Sequence, residues 1–370
     1  MKTIPFIDLK AQYKALQPDI QTQINNVLEH GLFIMGPEVE ELERKLCEFT
    51  GAKHALTCSS GTDAAVIAMM ALGIGPGDEV IVPAFSFIAT AETVHLVGAT
   101  PVYVDVDPKT YNLDCRQLQE ALSPKTKAIQ PVSLYGQCAD MDTINSFAQT
   151  HGLAVLEDAA QSFGAMYKGR RSCNLSTIGA TSFFPAKPLG CYGDGGAIFT
   201  NDDQLAEAMR EIRTHGQKSR YYHTRIGVNG RLDTLQCAIL LPKLARFSWE
   251  LEQRDHRARR YNEAFAGLEK KGVQIPYLSD GCTSAWAQYT LCLPQREKFQ
   301  KHMQERGVPT AVHYPMTMAD QPAYKEAGRI LNISTSRKLA DTVVSLPIYP
   351  DMTDDIQDYI VAQTLSFFEL

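Results

Sequence analysis

Thr181-Ser-Phe-Phe-Pro-Ala-Lys187-Pro-Leu-Gly190 and, upstream of it, Leu153-Ala-Val-Leu-Glu-Asp158-Ala-Ala-Gln161 are the two stretches on which the fold turns. The upstream one is a short apolar run that ends in carboxylates, the pattern of a buried strand with a functional group at its end. The downstream one sets a lysine in mostly apolar surroundings. There the ammonium form loses hydration, its pKa falls, and the neutral amine becomes a nucleophile toward aldehydes and ketones. An aspartate at a strand end can hold a pyridinium nitrogen protonated, which makes the ring of pyridoxal phosphate an electron sink. Lys187 is the candidate Schiff-base lysine and Asp158 the candidate ring partner.

Outward from these stretches, short apolar runs alternate with helical patterns, as in parallel strands joined by helices. Strands are expected at Ala55–Cys58, Glu79–Val82, Pro101–Val104, Ala128–Val132, Ala154–Leu156, Thr181–Phe184 and Ala197–Thr200. They make a seven-stranded, mostly parallel sheet in a three-layer α/β/α domain. Ala197–Thr200 follows a glycine-rich turn so closely that an antiparallel return is open to it. A long helical pattern begins near Asp233, and the chain changes character near Ala245. The expected division is residues 1–245, an N-terminal segment with the large domain, and residues 246–370, a smaller α+β domain. In the smaller domain Tyr289–Leu293 reads as a strand and Leu346–Pro350 as an extended segment. Leu16, Ile20, Ile24 and Val27 stand at helical spacing, and this N-terminal helix is expected to pack on the small domain.

Ser59-Ser60-Gly61-Thr62 lies between a predicted strand and the helical run Asp63–Leu72, an arrangement that aims free N–H groups and the positive helix end at an anion. Taken alone, the loop reads as a helix cap by Ser60 or Thr62. Beside Lys187 and Asp158, Gly61 and Thr62 become candidate phosphate residues.

The order and spacing of Gly36-Pro-Glu-Val39, Ser60-Gly-Thr-Asp-Ala64, Gly75-Pro-Gly-Asp-Glu-Val80, Glu157-Asp-Ala-Ala-Gln-Ser-Phe-Gly164, Ser182–Lys187, Gly193-Asp-Gly-Gly196, Gly227-Val-Asn-Gly-Arg-Leu-Asp233 and Ala311-Val-His-Tyr-Pro315 resemble the DegT- or StrS-type nucleotide-sugar aminotransferases. These are pyridoxal-phosphate enzymes of the aspartate aminotransferase superfamily, fold type I. The resemblance runs nearly end to end; Asp194 departs from the usual glutamate, a change expected to alter packing and leave the chemistry alone. It implies that Ser182 gives its hydroxyl to the cofactor phosphate and that Gln161 bonds the ring hydroxyl. It also implies that Phe87 lies against the ring face, whereas Phe85 reads as core. Asn229 would reach the phosphate from a neighbouring subunit, making a homodimer with shared active sites.

The family's acceptors are keto sugars linked to diphosphate, with L-glutamate the usual donor. Such anions call for cationic and polar groups, and Arg231, His313 and Tyr314 are the candidates. Arg231 also fits an interface salt bridge, and His313 a structural turn before Pro315. Within the family, Pro131–Asp140, Lys168–Ser176, Pro185–Gly196 and Pro309–Pro315 resemble enzymes that aminate C3 of a UDP-linked 2-acetamido-3-oxo-glucuronic acid on the way to surface polysaccharide such as O-antigen. The other readings are a C4 aminotransferase on a UDP- or dTDP-linked 4-keto-6-deoxy sugar and a non-catalytic, cofactor-binding regulator. A dehydratase variant of the fold carries histidine in place of Lys187, which argues against it here.

Composition sets bounds consistent with this. The 370 residues are 44% hydrophobic and 21% charged, with a net charge of −6, an ordinary globular balance without a basic footprint for nucleic acid. The start, Met1-Lys-Thr-Ile-Pro5, has no signal-peptide core, and no apolar run suits a membrane span, so a cytoplasmic protein is expected. Nine cysteines without a C-x-x-C pair read as reduced, mostly buried residues, and no metal site is expected.

Overall fold

The computed structural model describes residues 4–369. Met1–Thr3, part of the start on which the signal-peptide reading rests, lie outside the described residues. At the centre is an eight-stranded sheet in the order His54–Cys58, Gly196–Thr200, Ile178–Ser182, Ala154–Asp158, Thr126–Ile129, Glu79–Pro83, Thr100–Val104 and Arg329–Ile330. Gly196–Thr200 runs antiparallel to both neighbours, and the other pairs are parallel. The seven strands expected from the sequence are all present. The eighth, Arg329–Ile330, is two residues long, too short to leave a hydrophobic pattern.

Strands buried on both faces need continuous apolar runs, because helices cover each side. Val80, Val82, Ala128 and Leu156 meet Ala64, Ala68 and Val94 on one face. Their neighbours Ile81, Ile129 and Val155 meet Ile144 and Ala148 on the other. The strand expected at Thr181–Phe184 instead spans Ile178–Ser182. Apolar weight drew the expectation toward Phe183 and Phe184, whereas the ladder begins at small residues because the backbones crowd there. A Cβ on Gly179 would stand 2.4 Å from the Cys173 carbonyl oxygen.

A 32-residue helix, Thr234–Phe265, runs unbroken through Ala245. Its first half, with Cys237, Leu240 and Phe247, packs with Ala55, Ala197 and Phe199 of the central sheet. Its last turns, with Ala258, Tyr261 and Phe265, enter a separate core around the antiparallel pair Tyr289–Cys292 and Val343–Leu346. The N-terminal helix Leu9–His30 does not pack on that small core. Leu16 and Ile20 lie against Ile239 and Tyr192, and Gln12 donates to Glu250 at 2.9 Å, so the helix rides on the long helix. Its spacing revealed a buried face but not the identity of the surface facing it.

All nine cysteines are free, no cluster suited to a metal occurs among the described residues, and no helix there is long and apolar enough to cross a membrane.

Candidate active site

Asp158, Ser182 and the loops after Cys58 and Pro83 all fall at the C-terminal edge of the sheet, where open α/β sheets form their binding crevices. There a cavity of about 530 Å³ is lined by Gly61, Thr62, Ser182, Phe87 and Asp158, and on the remaining side by Gln161, Lys187, His313 and Tyr314. Nine of the eleven site residues expected from the sequence therefore share one chamber.

At one end the helix Gly61–Ala71 begins. Ser60 caps it by accepting from the Asp63 N–H at 3.0 Å, so the cap reading is realised. The cap serves Asp63 and leaves the Gly61 and Thr62 amides, which have no intrahelical partner, at the cavity wall. Gly61 must be glycine, since a Cβ there would lie 2.7 Å from the Ser182 Cβ. The Ser182 Oγ accepts from the Phe184 N–H at 3.2 Å, which leaves its own proton for a ligand.

Asp158 takes the Ala160 N–H on Oδ1 at 3.1 Å and has the Thr90 hydroxyl 3.4 Å from Oδ2. Burial raises its pKa, opposed by the Ala160 N–H, the Lys187 charge and Thr90. Burial lowers the pKa of Lys187, opposed by Asp158. Lys187 keeps some surface exposure, but that surface faces a concave chamber, so its amine is still poorly hydrated. A buried carboxylate and a depressed amine lining one chamber fit a cationic ring nitrogen and a carbonyl carbon.

Gln161 has a fixed orientation. Its Oε1 accepts from the Tyr135 N–H at 2.7 Å, so Nε2 turns to the Tyr314 hydroxyl at 3.1 Å, with a second N–H left over. Phe87 is 50% exposed, with its ring 5.7 Å from that of Tyr314, whereas Phe85 is buried in the core, as the sequence suggested. Burial and then the Lys187 charge push the His313 pKa down to about 4, so the imidazole is neutral. Burial pushes the Tyr314 hydroxyl up.

Asn229 and Arg231 do not line this chamber. Their loop is stitched to the segment just before the helix start, where the Ser59 N–H donates to the Gly230 carbonyl at 3.0 Å. Arg231 forms no salt bridge among the described residues, and its buried Nε lacks a partner.

A model of the family described as DegT/DnrJ/EryC1/StrS aminotransferases matches residues 14–365. The chain belongs to that family. Among relatives of the DegT/DnrJ/EryC1/StrS group, the UDP-2-acetamido-2-deoxy-3-oxo-D-glucuronate aminotransferase of Pseudomonas aeruginosa is 56% identical over 94% of this chain and 95% of its own. The crystal structure of DesV from S. venezuelae in complex with a ketimine intermediate matches with a TM-score of 0.97 at 38% identity, covering 100% of both chains. NtdA from Bacillus subtilis, solved with bound cofactor PMP, matches with a TM-score of 0.93 at 32% identity, covering 100% of this chain and 86% of NtdA.

In this family member the structure adds residues that sequence reading missed. Thr90 and Ser86 have hydroxyls 3.0 Å apart, Thr90 reaches Asp158, and Thr90 follows Phe87 by three residues. Asp194, set aside as a packing change, lines the chamber. Lys243 is a buried lysine on the long helix whose Nζ donates to the Gly190 carbonyl and lies 4.9 Å from the centre of the Tyr192 ring. Burial pushes its pKa down to about 8. Gln236, seven residues earlier on the same helix, accepts from the Tyr192 N–H at 2.9 Å. Together they tie down the exit of the loop that carries Lys187.

Proposed function

We propose that this chain is a pyridoxal-phosphate-dependent aminotransferase that transfers the amino group of L-glutamate to C3 of UDP-2-acetamido-2-deoxy-3-oxo-D-glucuronate. The observation that carries the reading is that one chamber is lined by a buried carboxylate, Asp158, by an amine of lowered pKa, Lys187, and by the start of the helix Gly61–Ala71. The similarity to the Pseudomonas aeruginosa enzyme supports the choice of acceptor.

The cofactor supplies an aldehyde that captures amines and a ring that accepts electrons. Gly61, Thr62 and Ser182 would bind its phosphate, Asp158 its ring nitrogen, and the free Gln161 Nε2–H its ring hydroxyl. Phe87 would cover the ring face and keep water from it. Lys187 would hold it covalently. With its amine free, the Lys187 Nζ would be the base that takes the Cα proton of the donor, and the resulting ammonium would be the acid that gives the proton back. General acid–base catalysis of that kind contributes roughly 10² to 10⁴-fold. With the ketosugar as acceptor, the same amine would serve in the reverse direction. Arg231, His313 and Tyr314 would bind the diphosphate or the carboxylate.

The working unit is a homodimer with shared active sites. Support comes from Asn229 and Arg231, which lie outside their own chamber, and from apolar residues left in water, including Ile34 at 52% and Ile226 at 86% exposure. The expected setting is the cytoplasm, in biosynthesis of a diacetamido uronic acid for surface polysaccharide.

Visible absorption of the purified protein tests the reading. Glutamate should bleach the cofactor band, and the UDP-linked 3-oxo uronic acid should restore it. Restoration only by a 4-keto-6-deoxy sugar nucleotide would replace the acceptor, and a protein with no cofactor band would refute the whole reading.

A further inference from the structure

Thr290 and Ser345 stand opposite each other in the antiparallel pairing of Tyr289–Cys292 with Val343–Leu346. They are 1% and 0% exposed, and their hydroxyl oxygens are 2.9 Å apart. Hydroxyls buried in a small-domain ladder lose their hydration and need hydrogen-bonding partners there. The second partner of Ser345 is the chamber: its Oγ lies 3.1 Å from the His313 Nδ1. The backbone fixes this meeting, because Ala311 and Ser345 exchange N–H···O bonds of 3.2 and 2.8 Å. From the opposite side the Tyr135 hydroxyl donates to the His313 carbonyl. The imidazole is thus held at Nδ1 and through its own backbone. Nε2 has no protein partner among the described residues, and His313 lines the chamber that holds Lys187.

A neutral imidazole donates through one nitrogen only, and the bond at the other nitrogen decides which. If Thr290 donates to Ser345 and Ser345 donates to Nδ1, every buried hydroxyl has an acceptor and Nε2 carries the ring proton. An anionic ligand presents only acceptor oxygens, so this is the tautomer it can use.

We propose that the Thr290–Ser345 pair is the positioning element for sugar-nucleotide binding, holding His313 in the Nε2–H form as a hydrogen-bond donor to an anionic oxygen of the acceptor. The inference rests on the proposed sugar-nucleotide chemistry. It assigns the small domain a part in substrate choice that none of its chamber-lining residues would reveal alone. Neither Thr290 nor Ser345 lines the chamber itself.

The test compares Ser345→Ala, Thr290→Val and His313→Gln in the dimeric holoenzyme with the UDP-linked 3-oxo uronic acid. Ser345→Ala should raise KM for the sugar about tenfold, the cost of a hydrogen bond to a charged group, with kcat held within about threefold. Thr290→Val, which keeps the side-chain shape, should move KM the same way by a smaller factor. Nitrogen-15 NMR of histidine-labelled wild type, with His313→Gln to assign the signal, should show Nδ1 unprotonated. A raised KM in His313→Gln with none in Ser345→Ala refutes the relay and leaves the substrate contact standing. A KM unmoved in both removes the His313 contact itself, and a protonated Nδ1 overturns the proposed direction. Repeating Ser345→Ala with a 3-oxo sugar nucleotide that lacks the carboxylate identifies the oxygen. An unchanged effect assigns it to the diphosphate, and a lost effect to the carboxylate.

Discussion

A single methyl group added at Gly61 measures how tightly the helix-start end of the chamber is built. The Cβ of Gly61→Ala would lie 2.7 Å from the Ser182 Cβ and 3.2 Å from its Cα, contacts no side-chain rotation can relieve. The loop cannot retreat either, because Gly196 is packed so closely behind it that a Cβ there would stand 2.5 Å from the Ser60 carbonyl oxygen. The helix start and Ser182 must therefore separate, which opens the space between the donors expected to share one phosphate. Overpacking of this kind costs about 1–3 kcal/mol, which corresponds to roughly a 5- to 150-fold loss in cofactor affinity if the strain is released on separating the two. Titrating apo-protein with pyridoxal phosphate, followed by tryptophan fluorescence, gives the ratio directly. Ser182→Gly in the Gly61→Ala background removes the clashing atom and should recover part of the loss even though a hydroxyl is gone. Ser182→Ala should not. Equal affinity in wild type and Gly61→Ala, or equal rescue by the two Ser182 variants, would refute the packing argument.

Other perturbations separate the chemistry from its support. Lys187→Ala should retain the cofactor, which keeps its phosphate and ring contacts, and lose turnover; undiminished transamination by this variant would sink the assignment. Glu157, fully buried with Ser172 donating at 2.7 Å and the Cys173 N–H at 3.0 Å, has its pKa raised from 4.5 to about 7, first by burial. The folded protein thus holds this proton to higher pH than the unfolded chain. Its contribution is full below pH 4.5 and lost as pH rises through 7. Glu157→Gln should flatten that slope in melting temperature against pH, and an unaltered slope contradicts the argument. Lys243→Met exchanges a buried ammonium for an apolar chain of similar length, so stability should change little while the loop carrying Lys187 loses its tether. A kcat lower by about tenfold at near-constant melting temperature is expected, and a normal kcat would show that the Gly190 carbonyl needs no tether.

The lining of the chamber was largely legible because it sits on local patterns. Asp158 ends an apolar run, Gly61 starts a helix after a strand, and Lys187 lies in an apolar loop, each visible within about ten residues. What sequence could not show depends on distant partners. Lys243 falls in an ordinary helical pattern and gains meaning only where it meets Gly190, 53 positions away. Ser345 and Thr290 look like strand filler until the ladder pairs them 55 positions apart. The N-terminal helix shows its buried face in its spacing, yet periodicity says nothing about which surface it will cover. The strand at Ile178–Ser182 was displaced because hydrophobic weight marks burial, whereas small residues mark close backbone approach.

The long helix Thr234–Phe265 holds the exit of the Lys187 loop through Gln236 and Lys243 and, about five to six turns beyond Lys243, gives Tyr261 and Phe265 to the small core. One rod therefore belongs to both hydrophobic centres, and neither can melt without fraying the helix that the other needs. The two parts of the chain should lose structure in a single calorimetric transition. A ligand that orders the chamber should then raise the melting temperature of the distant small core as much as that of the sheet.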